Sequence, residues 1–325
     1  MRVVALSGGI GGARFLTGLL SVLTDTDPVT VIANTADDMW LLGLRVCPDL
    51  DTVMYTLSGA SDAERGWGRA DESWKVLDEL RSYAVEPSWF GLGDRDLATH
   101  LARTQLLRDG HPLSAATEIL CRRWRPRVDL LPMTDDEVET HVVIDDATAG
   151  RRTVHFQEYW VRLGAPRAYA VVATGAGTAK PAPGVLEAIA AADLLVFPPS
   201  NPVVSIGTIL AVPGVREAIA DAPAPVVGVS PIIGGHPVRG MADQLLRAIG
   251  VDVSAAAVAQ HYGARTAGGL LDGWLVDTAD HDAVHDLTAL GIDTRAVPLL
   301  MSDPERTAQL AAAVLRTAEE IVPRR

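Results

Sequence analysis

Four aspartates, Asp37, Asp38, Asp49 and Asp51, fall within fifteen residues of one another in NTADDMWLLGLRVCPDLDTV. Upstream, SGGIGGAR at residues 7–14 carries four glycines, Gly8, Gly9, Gly11 and Gly12, between an apolar run and a helical pattern. Backbone N–H groups at such a junction can cradle phosphate oxygens, and the missing Cβ atoms permit close approach. A tight structural turn uses glycine for the same steric reason. Carboxylates beside a bound phosphate repel it unless a divalent cation lies between them. Magnesium suits that place, since one or two carboxylates and phosphate oxygens complete its octahedron. The competing reading is helix capping, with Asp51 as the N-cap of TVMYTL.

Further candidates sit where other strands end. FPPSNPVVSIG (197–207) and VSPIIGG (229–235) place Ser200, Asn201 and Ser230 at such ends, short hydrogen-bonding groups suited to a base or ribose and equally to ordinary turns. GLGDRDLATH (91–100) brings Asp94, Arg95, Asp96 and His100 to the start of a helix. Arg95 can fork onto a phosphate or a polar ring edge, or simply belong to a first-turn charge pattern. The glycine loop lacks the Gly-Lys-Ser/Thr of a P-loop. Arg14 and Asn34 stand where a nicotinamide-binding fingerprint expects a small residue and an acid.

The elements that must position these residues read as α/β. RVVAL, VTVIAN, AYAVVAT, DLLVFPPSN, APVVGVSP and GWLVDT are short apolar runs without alternation, the signature of parallel strands covered on both faces. Helical patterns separate them, including GARFLTGLLSVL, PGVLEAIAAA and PERTAQLAAAVLRTAEEIV. The expectation is a Rossmann-like three-layer sandwich with a mostly parallel sheet. It forms one domain over residues 1–325, with a mainly helical insertion at 51–125 packed beside the sheet. Residues 128–160 suggest two or three strands in an antiparallel extension. A net charge of −13 argues against nucleic acid or an anionic membrane as partner. RRWRPR at 122–127 reads as a solvated helix end. Two cysteines without ligand spacing, no signal-peptide pattern and no membrane-length apolar run suggest a cytoplasmic protein.

SGGIGGARFL, NTADDMW, CPDLDTVMYTL, GLGDRDLATH, FQEYW, PPSNPVVSIG and SPIIGG, in this order, resemble the 2-phospho-L-lactate transferases, which make coenzyme F-420. The resemblance runs from Met1 to the AVPLLMSDPE segment. GGIGGARFL and GWGRADESW look like the actinobacterial branch. It implies a magnesium-dependent enzyme in which the ribityl hydroxyl of the deazaflavin Fo attacks a guanosine diphosphate conjugate. GMP leaves and a phosphodiester forms. In the actinobacterial branch the donor is the enolpyruvyl conjugate and the product dehydro coenzyme F-420-0; in archaeal relatives the donor is lactyl.

On that resemblance Asp37, Asp49 and Asp51 are metal contacts, and Asp37 or Asp51 accepts the hydroxyl proton. Asp51 and Arg95 lie at the Fo side, and Ser200, Asn201 and Ser230 line the guanosine pocket. Gly8, Gly9, Gly11 and Gly12 hold the diphosphate. Trp40 and Trp89 could wall an apolar slot for Fo, or be plain core. The family suggests a homodimer. The rival reading is a nucleotide-sugar-binding regulatory protein of the same superfamily.

Overall fold

A computed structural model describes residues 1–146 and 150–321. Among them seven strands form one parallel sheet. In chain order these are β1 (Val3–Ser7), β2 (Val29–Ala33), β3 (Asp129–Pro132), β4 (Leu194–Phe197), β5 (Val226–Val229), β6 (Gly273–Val276) and β7 (Asp293–Ala296). Their spatial order is β3-β2-β1-β4-β5-β6-β7. Every residue of β1, β4, β5 and β6 is buried, because both faces of the sheet are covered. Val4 and Leu6 of β1 enter one hydrophobic core and Val3 and Ala5 the other, as the two-residue period of a strand requires.

Five helices follow the first strands in chain order: α1 (Gly9–Val22), α2 (Pro48–Leu57), α3 (Lys75–Ser82), α4 (Asp94–Arg108) and α5 (Leu113–Trp124). A short antiparallel hairpin, Met39–Leu41 with Leu44–Val46, leads into α2. A separate three-stranded antiparallel sheet joins Gly150–His155, Glu139–Asp146 and Ala168–Thr174.

Two expectations are corrected here. AYAVVAT, expected in the parallel sheet, pairs antiparallel with Glu139–Asp146 and is only half-buried. The strand within RVDLLPM, expected in the antiparallel extension, is β3 at the edge of the central sheet, parallel to β2. A short apolar run carries no mark of the direction of its partner; that is set by the crossover that delivers it.

The chain leaves β1 toward β2 and β3 on one side and returns at β4 to build the other side. β1 and β4 are neighbours whose connections run opposite ways, so a crevice opens at their C-terminal ends. The β1–α1 turn and the loop after β4 meet there. Gly8 N–H donates to Ser200 Oγ at 3.2 Å, and that hydroxyl donates to Gly8 C=O at 2.9 Å. A Cβ on Gly11 would stand 2.7 Å from the Pro199 carbonyl oxygen.

This close packing gives a graded expectation. Gly11→Ala must push two backbones apart and should cost about 1–3 kcal/mol. Gly9→Ala has nothing within 4 Å of the new methyl and meets only the penalty of its φ of +66°, about 1 kcal/mol. Urea denaturation of the two variants checks the order; equal losses would refute the packing argument.

Candidate active site

The four loop glycines are not equivalent. Gly8 is extended, and a Cβ there would lie 2.6 Å from Asp49 Oδ2 and from Ser205 Oγ. The same position on Gly12 is filled by the Ser7 and Ser200 hydroxyls. Gly8, Gly11 and Gly12 therefore admit the protein's own neighbours. Gly9 faces open space, in the left-handed conformation, at the N-terminus of α1. Its N–H donates to Asp49 Oδ1 at 2.8 Å. The remaining first-turn amides, of Ile10 and Gly11, belong to the orphan donors that make a helix N-terminus attractive to anions.

Asp49 is a hub. Its other oxygen accepts from Asn34 Nδ2 at 2.9 Å. Asn34 Oδ1 in turn accepts from Ala36 N–H at 2.9 Å and from Thr208 Oγ1 at 2.8 Å. Asn34 thus ties the end of β2 to α2 and to the helix Ile206–Leu210. Burial raises the Asp49 carboxyl to about 6 against the help of these bonds. Asp37 is also buried, and burial, with the Asp49 charge added, holds its carboxyl well above the ordinary range. Its Oδ1 has no hydrogen-bond partner. Asp38 is raised to about 7 by burial, opposed by Arg45, whose Nη2 lies 3.5 Å from it.

Asp51 belongs to a different environment. α2 begins at Pro48, so Asp51 lies within the first turn and is not the N-cap. Arg103 grips both its oxygens, Nη1 at 3.0 Å from Oδ2 and Nη2 on Oδ1. His100 Nδ1 lies 3.6 Å from Asp51, and its Nε2 lies 3.3 Å from Asp96. Tyr55 donates to Asp96 at 2.7 Å. Asp51 and Tyr55 are one turn apart on α2; Asp96, His100 and Arg103 share one face of α4. That spacing was visible in the sequence, but Arg103 and Arg45 were not singled out, since partners on other elements cannot be seen there.

The residues present were tested against a divalent cation. Asp37 and Asp49 fit: burial raises the proton affinity of both carboxylates, the Asp49 charge raises that of Asp37 further, and Asp37 Oδ1 is orphaned. Asp51, Asp96 and His100 also offer ligand atoms within 4.8 Å of one another. There, however, Arg103 already covers both Asp51 oxygens, and its fixed positive charge opposes a second cation.

The remaining candidates are spread around the crevice. Ser230 Oγ donates to Ile232 C=O at 2.8 Å, and Asn201 Oδ1 accepts from Val203 and Val204 N–H, so both serve their own turns. Arg95 is exposed, donates to Ala70 C=O at 3.3 Å and lies 3.8 Å from Asp71. Trp40 is 48% exposed, with its indole N–H on Glu137 and the Arg45 guanidinium over its ring. Trp89 lines an open cleft of about 690 Å³ with Glu86, Pro87, Ser88 and Arg162. No helix among the described residues is long and apolar enough to cross a membrane.

Residues 3–316 match the model of the family described as 2-phospho-L-lactate transferase CofD. The chain is 64% identical over 322 residues to a phosphoenolpyruvate transferase of Kitasatospora aureofaciens, covering 99% of both chains. It is 51% identical over 328 residues to one of Mycolicibacterium smegmatis, covering 98% of this chain and 99% of that protein. A crystal structure of a UPF0052 family member from Bacillus halodurans shares the fold, with a TM-score of 0.61 at 21% identity over 97% of this chain and 99% of that one.

The buried acid pair yields a prediction in pH. A carboxyl raised in the fold from 3.8 to about 6 contributes most to stability at low pH, and that contribution is lost as pH rises from the unfolded value through the folded one. A cation that pairs with the ionised acids offsets the loss and must displace their protons below that window. Magnesium at about a hundred times its Kd should therefore raise Tm by several degrees at pH 8, and clearly less at pH 5. Asp37→Asn should be at least as stable as wild type without the ion at pH 8 and should lose the magnesium shift. Thermal unfolding with and without magnesium checks both; a shift that survives in the variant would remove Asp37 from the cation site.

Proposed function

This chain belongs to the 2-phospho-L-lactate transferase CofD family, transferases of coenzyme F-420 biosynthesis, and we propose that it moves a phosphoenolpyruvyl group from a guanosine diphosphate conjugate onto Fo. The observation that carries the reading is the buried Asp37–Asp49 pair set against the Gly9 amide at the β1–β4 crevice. Identity of 64% along nearly the whole chain to a phosphoenolpyruvate transferase favours the enolpyruvyl donor over the lactyl one.

In this reaction the primary hydroxyl oxygen of Fo's ribityl chain bonds to the phosphorus bearing the three-carbon acid. The bridging P–O bond to GMP breaks, and GMP takes the bonding electron pair. The hydroxyl proton passes to a carboxylate, for which the chain offers Asp51, aligned by Arg103, and Asp37, whose proton affinity is raised by burial. Phosphoryl transfer needs in-line positioning and charge neutralisation more than covalent help. Magnesium, when bound, supplies neutralisation of the diphosphate, and Asp37 and Asp49 would hold it. The first-turn amides of Ile10 and Gly11 would take the phosphate oxygens, beside Gly9, the loop glycine with open space where a Cβ would stand.

Gly8, Gly11 and Gly12 contribute by letting the loop after β4 close against this turn. Ser200, Asn201 and Ser230 border the guanosine end as shaped turns. Arg95 and Asp51 mark the Fo end, joined through Asp96 and His100 on α4. The working form in this reading is a cytoplasmic homodimer. The rival, a nucleotide-sugar-binding regulator, leaves the chain-long identity to transferases without a reason.

The test is mass spectrometry of the product formed from Fo with the enolpyruvyl and lactyl guanosine donors in competition. The enolpyruvyl product, lighter by two hydrogens, is expected to dominate. A lactyl product would overturn the donor assignment. Binding of a UDP-sugar without turnover of either donor would overturn the reaction. Arg95→Ala should raise KM for Fo about tenfold while leaving KM for the donor unchanged.

A further inference from the structure

Gly9 has two neighbours of opposite character. Its N–H meets Asp49, whose charge reaches Asp37. The next residue is Ile10, the non-glycine residue of the loop, packed against Gly66. A Cβ on Gly66 would lie 3.1 Å from Ile10 Cγ2 and 2.9 Å from Nη1 of Arg239, so the guanidinium and the glycine loop flank the same point. Arg239 follows His236–Pro237, which pairs antiparallel with Ile232–Ile233 just beyond β5. Its side chain is exposed yet anchored. Nη2 donates to the Arg65 carbonyl at 2.8 Å, and the next residue, Gly240 at φ +85°, would bring a Cβ within 3.1 Å of Trp160.

Of the neighbouring cations, Arg65 pairs with Asp62 at 3.0 Å and Arg69 lies over the Trp124 ring and donates to Arg95 C=O; Arg14, at the far side of the first turn of α1, reaches the Met301 carbonyl. Arg239 makes one hydrogen bond to a neutral carbonyl and, among the described residues, has no carboxylate partner. A guanidinium has five donors in a planar fork that matches a carboxylate. In a chain of net charge −13, such a cation beside the phosphate-binding turn favours an anion.

We infer that Arg239 is a specificity-determining residue that recognises the carboxylate of the donor's three-carbon acid; this rests on the transferase reading above. The diphosphate belongs with the acids, their cation and the first-turn amides that follow Gly9. The acid's carboxylate is the remaining anionic group of the donor, and Arg239, without a carboxylate partner among the described residues, is the cation beside Ile10 of the glycine loop. A planar carboxylate engages the fork by two parallel bonds that lysine cannot reproduce.

The experiment compares wild type, Arg239→Ala and Arg239→Lys in KM for the enolpyruvyl guanosine donor and in calorimetric affinity for GDP alone. Arg239→Ala should raise the donor KM about ten- to a hundredfold and leave GDP affinity within about twofold. Arg239→Lys should fall between. Equal losses toward donor and GDP would place the arginine on the diphosphate and overturn the assignment, as would an unchanged donor KM. Retained GDP binding shows that each variant is folded. Wild-type protein that binds GDP but turns over no donor would instead refute the transferase reading, and the assignment with it.

Discussion

Carboxylates removed from water cost several kcal/mol each unless a counter-charge or good donors replace the lost hydration. This chain buries Asp37, Asp38, Asp49 and Asp51 at one end of its sheet, and the surrounding structure is organised by how each is compensated. Asp38 and Asp51 have arginines, Arg45 from the hairpin before α2 and Arg103 from α4. Asp49 has the Gly9 amide and Asn34, bonds that pin α1, β2 and α2 to one point. Asp37 has burial against it and an oxygen without a partner. Asp37 Oδ1 and Asp38 Oδ1 both lack a hydrogen-bond partner, but Asp38 has its arginine, whereas Asp37 and Asp49 have no guanidinium beside them among the described residues.

The nucleophilic side chains near the buried acids are held back by burial or by hydrogen bonds. Cys47, the residue before α2, is fully buried, and burial holds its thiol well above the ordinary range. The nearby Asp38 and Asp51 charges oppose its ionisation further. The hydroxyl of Ser200 is engaged by the Gly8 carbonyl of the glycine turn and that of Ser230 by the Ile232 carbonyl of its own turn. What remains at the crevice is positioning and charge, the two resources that a phosphoryl transfer uses.

The parallel strands were legible because a sheet covered on both faces demands unbroken apolar runs, and β1, β4, β5 and β6 show them. The place of AYAVVAT was not, since hydrogen bonding to Glu139–Asp146 is decided by topology and not by its seven residues. The acid cluster could be seen in the spacing of Asp37 through Asp51. Its division into two halves could not, because that depends on Arg103, some fifty residues away in the chain and adjacent only after α2 and α4 pack. The glycine loop is the instructive middle case. Four glycines signalled a close approach, and for Gly8, Gly11 and Gly12 the approaching atoms are Asp49, Ser200, Ser205 and Pro199.

The two halves of the acid cluster differ in the permanence of their cations. A guanidinium stays protonated at any pH the fold survives, so the counter-charge of Asp51 is built in. At Asp37 and Asp49 no cation is supplied among the described residues, and on the proposed reading a proton or a metal serves. On the proposed reading the Fo side is therefore assembled before any ligand arrives, whereas the donor side is completed by the ion and the diphosphate together. An acid pair left in repulsion favours whatever brings positive charge to it, which couples donor binding to the ion without any moving part. The helical segment that carries Arg103 thus does more than cover the sheet: its guanidinium serves Asp51 and, by its charge, Asp38 and Asp96, and the pair beside Gly9 is left without one among the described residues.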